Sequence, residues 1–213
     1  ATDARITAVK FYLNRALLVF LLLAAACSTT RDEHAGQQED LDQTAIAQTH
    51  AWLQDFSTKY KYDVGYMEAL LELSPAAYHS FAAGMGMAEH RVDLPIDAHY
   101  VGILSALRAD DCGQCTQLNL RLAAEAGVDR DLLRQVLEAP DQLPLPLRTV
   151  YDYASQVVKG ENADADCVTR LRQVYGDKAF AELAVNVLGA RIYPALRRAL
   201  GAEQSCPPPN LDF

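Results

Sequence analysis

The stretch DCGQCTQLNLRLAAEAGVDRDLLRQV, Asp111 to Val136, decides how this chain reads. Two cysteines stand three residues apart, and an amphipathic run follows them and ends at Gly127. Glycine is the residue that closes helices by turning left-handed. Asp129 then caps a short helix reaching Leu137. The spacing places Cys112 and Cys115 at the start of the first helix, with Asp110 or Asp111 as its cap. There the free N–H groups and the dipole of the first turn stabilise a thiolate, the reactive form of cysteine.

Outward from this stretch the pattern stays helical. Ala45 to Tyr60 is periodic, with Ile46, Trp52, Leu53 and Phe56 as expected buried positions. Met67 to Leu73 is a second helix. Ser74 caps a third, from Pro75 to about Met85, since proline suits a first turn. Arg91 to Pro95 reads as a loop. Ile96 to Ala109 is a helix with Val101, Leu104 and Leu107 on one side. Pro140 to Pro146 is a turn, and helices follow over Leu147 to Lys159, Ala163 to Tyr175 and Asp177 to Leu200. Pro194 is expected to kink or divide the last. No alternation typical of strands occurs, so the expected fold is all-α, one domain from 45 to 206 with a tail from 207 to 213.

The chain has 213 residues, half of them hydrophobic, and a formal net charge of -9. That suffices for a real core and argues against a nucleic-acid partner, which needs a basic patch. His50, His79 and His90 show no metal-ligand spacing, and neither a metal nor a cofactor motif occurs. Trp52, Tyr60, Tyr62 and Tyr66 read as core and rim of the first helices. The segments from Ala45 to Met87 either cover the cysteine helix or form a subunit interface.

The N-terminus reads separately. Lys10 and Arg15 precede the apolar run ALLVFLLLAAA, Ala16 to Ala26. A basic region, a short apolar region and small residues describe an export signal. Leu23-Ala24-Ala25-Ala26-Cys27 resembles a bacterial lipobox, which implies lipidation of Cys27, although leucine is usual where Ala24 stands. The polar stretch from 28 to 44 then serves as a tether. The alternative is an uncleaved anchor over 1 to 27. Both place the body outside the cytoplasm, attached to a membrane by its N-terminus.

Four cysteines remain in that oxidising setting. Cys112 and Cys115 form one natural pair, which leaves Cys167 and Cys206 for each other. Spacing does not fix connectivity. A four-cysteine zinc site is the competing arrangement and needs all four to converge.

The run from Asp111 to Val136 resembles the carboxymuconolactone decarboxylase superfamily, within it the alkylhydroperoxidase D-like proteins. The likeness extends over about residues 50 to 200. It includes Ser74-Pro75-Ala76-Ala77-Tyr78, Leu94-Pro95, Tyr175-Gly176-Asp177, Ala181-Glu182-Leu183-Ala184 and Arg191. It implies an all-helical fold, oligomer formation and thiol-dependent redox chemistry. In the family's redox members a histidine follows the second cysteine by four residues, and a glutamate lies on the preceding helix. Here Asn119 stands at the first position, and the second region reads Asp97-Ala98-His99-Tyr100. Asn119 donates and accepts hydrogen bonds but cannot act as a base. His99 substitutes if its helix brings it close.

The expected mechanism is exchange between a Cys112–Cys115 dithiol and an oxidised thiol partner or a hydroperoxide. Cys112 is expected to be the more exposed thiol, and the charges of Asp110 and Asp111 to oppose its ionisation. The alternative is a non-catalytic helical scaffold or subunit of a membrane-associated assembly, with the pair as a structural disulfide.

Overall fold

The computed structural model describes residues 43–202 and 208–210. The chain divides into two units, Ala1–Ala51 and Trp52–Phe213. In the first, residues 43–51 are helical. The second opens with helical residues 52–60 (α1). It continues through α2 (Gly65–Leu73), α3 (Pro75–Glu89), α4 (Ile96–Ala109), α5 (Gly113–Glu125) and α6 (Arg130–Glu138). A 3-10 turn, Pro140–Gln142, leads to α7 (Leu145–Val158) and α8 (Ala165–Ala199). No strand occurs among the described residues, and the fold class is all-α, as the sequence leads one to expect. The apolar run before Cys27, Cys27 itself and Cys206 lie outside the described residues. No described helix is long and apolar enough to cross a membrane.

Helix α4 forms the centre of the core. Sequence periodicity assigns it one apolar side, but every residue from Val101 to Leu107 is buried, with Ala98 and His99. A helix surrounded in this way packs on several neighbours, here chiefly α7, α8 and α5. Gly102 permits the closest approach: a Cβ there would lie 2.6 Å from Leu183 Cδ1 of α8. Gly189 does the same where α8 meets the end of α3, since its Cβ would lie 2.6 Å from the carbonyl carbon of Met87. That approach brings the neighbouring turn of α8, which carries Asn186, against the same carbonyl.

Several expected caps form. Ser74 Oγ accepts from Ala77 N at 3.2 Å. Asp129 Oδ1 accepts from Asp131 N at 2.7 Å and Leu132 N at 3.1 Å. Gly127, at φ 88°, closes α5. The cap of α5 departs from expectation. Asp110 is instead the C-cap of α4, and Asp111 turns left-handed at φ 53°. Asp111 N–H donates to Arg108 O at 3.1 Å and Cys112 N–H to Leu107 O at 3.0 Å, the paired bonds of a Schellman motif. Cys112 thus closes α4 and is also the N-cap of α5, with no side-chain cap bond. An aspartate before a helix is a reasonable cap in isolation; here the end of α4 claims both. The expected pair of C-terminal helices meets at Gly176, whose φ of 84° breaks α8, whereas the helix runs through Pro194 without a second departure.

Candidate functional site

Cys112 and Cys115 form a disulfide, with an S–S distance of 2.10 Å and Cα atoms 5.3 Å apart. The Cys112 carbonyl accepts from the N–H and the hydroxyl of Thr116, both at 2.9 Å, which fixes the first turn of α5. Cys112 is 2 % exposed and Cys115 3 %, so Cys112 is not the more exposed thiol that its outer position leads one to expect. The Schellman turn tucks Cys112 back onto α4, and Cys115 is buried on the inner side of α5. The two residues face different spaces. Cys112 borders an open depression of about 660 Å³ with Arg108, Asp111, Thr116, Glu138 and Pro209. Cys115 borders a cavity of about 340 Å³.

That cavity gathers the sequence-predicted residues: Cys115, His99 and Asn119 all line it. Asn119 Nδ2 donates to Cys115 O at 2.9 Å, an i to i−4 bond that turns the amide back on its own helix. His99 is 5 % exposed, and its Nδ1 lies 2.9 Å from Asn186 Oδ1. The Asn186 amide nitrogen donates to Met87 O at 3.0 Å and His90 O at 2.7 Å. With both amide hydrogens committed, Asn186 Oδ1 acts as the acceptor and His99 Nδ1 carries a proton. Nε2 is therefore the basic nitrogen of His99. Burial pushes its pKa below the ordinary value, so the ring is neutral near pH 7. A neutral histidine with one nitrogen pinned and the other basic is the form a proton acceptor requires.

Residues read from the sequence as packing also reach the site. Tyr62 Oη lies 3.8 Å from Cys115 Sγ and 3.0 Å from Tyr66 Oη. Burial, together with Tyr62, raises the Tyr66 phenol above its ordinary range. Trp52, Phe56 and Tyr60 form an aromatic ladder along α1, with ring centroids 5.5 and 4.8 Å apart, and line the same cavity. The N-terminal segment from Trp52 on therefore covers the cysteine helix. Trp52, expected buried, is 49 % exposed at the cavity rim, while Leu53 is fully buried.

One of the two aspartates beside the disulfide is neutralised. Asp110 does not stand as a free negative charge near Cys112: its carboxylate pairs with Arg198 at 2.8 Å and Arg191 at 3.4 Å. Arg197, 1 % exposed, reaches under the turn between the cysteines and donates to Gln114 Oε1 at 3.1 Å. It also donates to Asp63 Oδ2 at 2.8 Å, and its guanidinium lies 4.9 Å from the Tyr66 ring centroid.

Cys167 is a buried free thiol whose Sγ contacts Thr149 O at 3.6 Å; its expected partner, Cys206, lies outside the described residues. Among the described residues no group of three or more His, Cys, Asp or Glu side chains is arranged to hold a metal ion. No family model, curated protein or solved structure matches the chain.

Proposed function

We propose that this protein is a thiol–disulfide oxidoreductase or alkylhydroperoxidase-like enzyme. It acts outside the cytoplasm and is held at a membrane by Cys27 or the apolar segment before it. One observation carries the reading: Cys115 shares a cavity with His99, whose Nε2 is left basic by the bond from Nδ1 to Asn186. In this reading His99 takes the role that the resemblance to alkylhydroperoxidase D-like proteins assigns to the position of Asn119. In the reduced state, Cys115 loses its proton toward His99. An oxidised thiol partner is attacked by Cys112 from the open depression, and Cys115 resolves the mixed disulfide; a hydroperoxide is attacked by Cys115, and Cys112 resolves the intermediate to the disulfide. A peroxide passes through a sulfenic acid. The open, polar depression beside Cys112 suits exchange with a partner's thiol. A homo-oligomer, or a place within a membrane-associated assembly, is consistent with the resemblance.

The burial of both sulfurs favours one other reading, a structural disulfide in a binding scaffold. The reduction potential separates the two. Thiol trapping and mass spectrometry across a glutathione or dithiothreitol series are expected to give a value of about -120 to -270 mV, the range of thiol oxidoreductases. A value below about -300 mV with no reaction toward peroxide identifies the scaffold.

A further inference from the structure

Cys115 opens onto a cavity whose walls restrict what can reach its sulfur. Six aromatic side chains line it: Trp52, Phe56, Tyr60, Tyr62, Tyr100 and Tyr193. Ile103, Leu107, Leu118 and Leu122 complete much of the rest. No lysine or arginine lines it, and its one carboxylate, Glu89, is exposed. Burial holds the Tyr100 and Tyr193 phenols above their ordinary range, so these walls stay neutral. An anion entering here would give up its water with no opposite charge to meet it. A polypeptide would find an enclosed apolar space without the backbone partners that an extended segment needs. A flat, neutral ring finds aromatic faces and edges to pack on. It also finds the hydroxyl of Tyr62 beside the sulfur, and the side chains of His99 and Asn119 on the same walls.

Resting on the redox reading above, we propose that the oxidant of the reduced pair is a quinone that binds in this aromatic cavity against Cys115. The step balances without a further reactant. The two thiols are oxidised to the Cys112–Cys115 disulfide, and the quinone gains two electrons and two protons to become the hydroquinone. One S–S bond forms and two S–H bonds break. His99 Nε2 takes the Cys115 proton and hands it to a quinone oxygen; the Cys112 proton leaves to solvent at the open depression, and a proton from solvent completes the hydroquinone. No charged group is expelled.

Duroquinone is the probe, because its ring is fully substituted and a thiol has no free position at which to add. The full chain is reduced with dithiothreitol, freed of it under nitrogen and mixed with duroquinone. The expected result is saturable formation of the disulfide with one duroquinol per pair. Trp52 is the single tryptophan and lines the cavity, so duroquinone is also expected to quench the fluorescence of the oxidised protein saturably. Leu118→Trp, which fills the cavity, is expected to slow the oxidation about tenfold or more. The quenching measurement needs no variant and stands if that one fails to fold. If the pair exchanges with glutathione, but duroquinone oxidises it without saturation or more slowly than cumene hydroperoxide does, the quinone proposal is overturned and the redox reading survives. A pair that neither dithiothreitol nor glutathione opens overturns both.

Discussion

Asn186 holds His99 in one tautomer: its amide oxygen lies 2.9 Å from His99 Nδ1, and its amide nitrogen is committed to the carbonyls of Met87 and His90. Asn186→Asp keeps the acceptor for His99 but loses both donors and places a negative charge beside the ring. Proton NMR titration of the His99 ring is expected to show a pKa below 6.5 in the wild type and a higher one in the variant. Losing the two bonds to buried carbonyls is expected to lower stability by about 2–3 kcal/mol. An unchanged His99 titration would contradict the contact between the side chain of residue 186 and the ring.

Two buried groups set the acid side of the stability curve, in separate windows. Burial lowers the pKa of His99 from its ordinary 6.5. As pH falls through 6.5 the unfolded chain takes up that proton before the native protein does, so stability declines and levels off once the folded site is protonated. Burial alone would raise the Glu182 carboxyl, but the N–H groups of Val92, Leu94 and Asp93 outweigh it and hold the group below 4.5. Those bonds are 2.9 to 3.1 Å long and fasten the loop before α4 to α8. Their contribution is fully present above pH 4.5 and is lost as pH falls through the lower, folded value. Urea midpoints from pH 8 to pH 3 are expected to fall in two steps. His99→Gln abolishes the upper step. Glu182→Gln abolishes the lower one and costs about 2 kcal/mol at neutral pH, because one buried N–H then meets an amide hydrogen.

Much of the fold was legible because its signals are local. Ser74, Gly127 and Asp129 act within a turn or two of their own positions, and each acts as its residue type suggests. The junction at Asp110 and Asp111 was not, since an aspartate between two helices serves either the end of one or the start of the next. Which end wins depends on Arg191 and Arg198, some 80 to 90 residues away in sequence. The site divides the same way. The cysteine pair follows from spacing, and the candidacy of His99 from the resemblance to the alkylhydroperoxidase D-like proteins. The partner that fixes His99 lies 87 residues away on α8, and Tyr62 lies 53 residues from Cys115. Asn186 and Tyr62 carry no motif that separates them from packing residues. Only the close approach that Gly189 permits puts Asn186 against Met87 O.

Tyr62 touches the sulfur that leaves when an incoming thiol attacks Cys112. A hydroxyl 3.8 Å from Sγ can donate to the departing thiolate. Tyr62→Phe is expected to slow opening of the disulfide by dithiothreitol about five-fold, the equivalent of ~1 kcal/mol for one such bond. Tyr66→Phe breaks the 3.0 Å contact between the two phenols but leaves Tyr62 at the sulfur. It is expected to leave the rate within about two-fold of wild type, since a second-order contact of this kind contributes little to the step. Equal slowing in both variants would assign the effect to packing.

Asp111 carries the backbone strain of the junction. At φ 53° it occupies a region that L-residues enter at a cost and glycine enters freely, and its exposed side chain leaves no packing to lose. Asp111→Gly is expected to stabilise the protein by about 0.5–1 kcal/mol, net of the extra freedom glycine has when unfolded. Asp111→Val, with a branched side chain in the same conformation, is expected to destabilise it by about 1–2 kcal/mol. The substitution also reports on chemistry. Asp110 is already neutralised by its two arginines, so Asp111 is the carboxylate of that pair left to oppose ionisation of a reduced Cys112. Iodoacetamide alkylation of the reduced protein at pH 7 is therefore expected to run faster at Cys112 in Asp111→Gly and in Asp111→Asn alike, although only the glycine variant relieves the backbone. Faster alkylation in the glycine variant alone would trace the effect to a loosened turn.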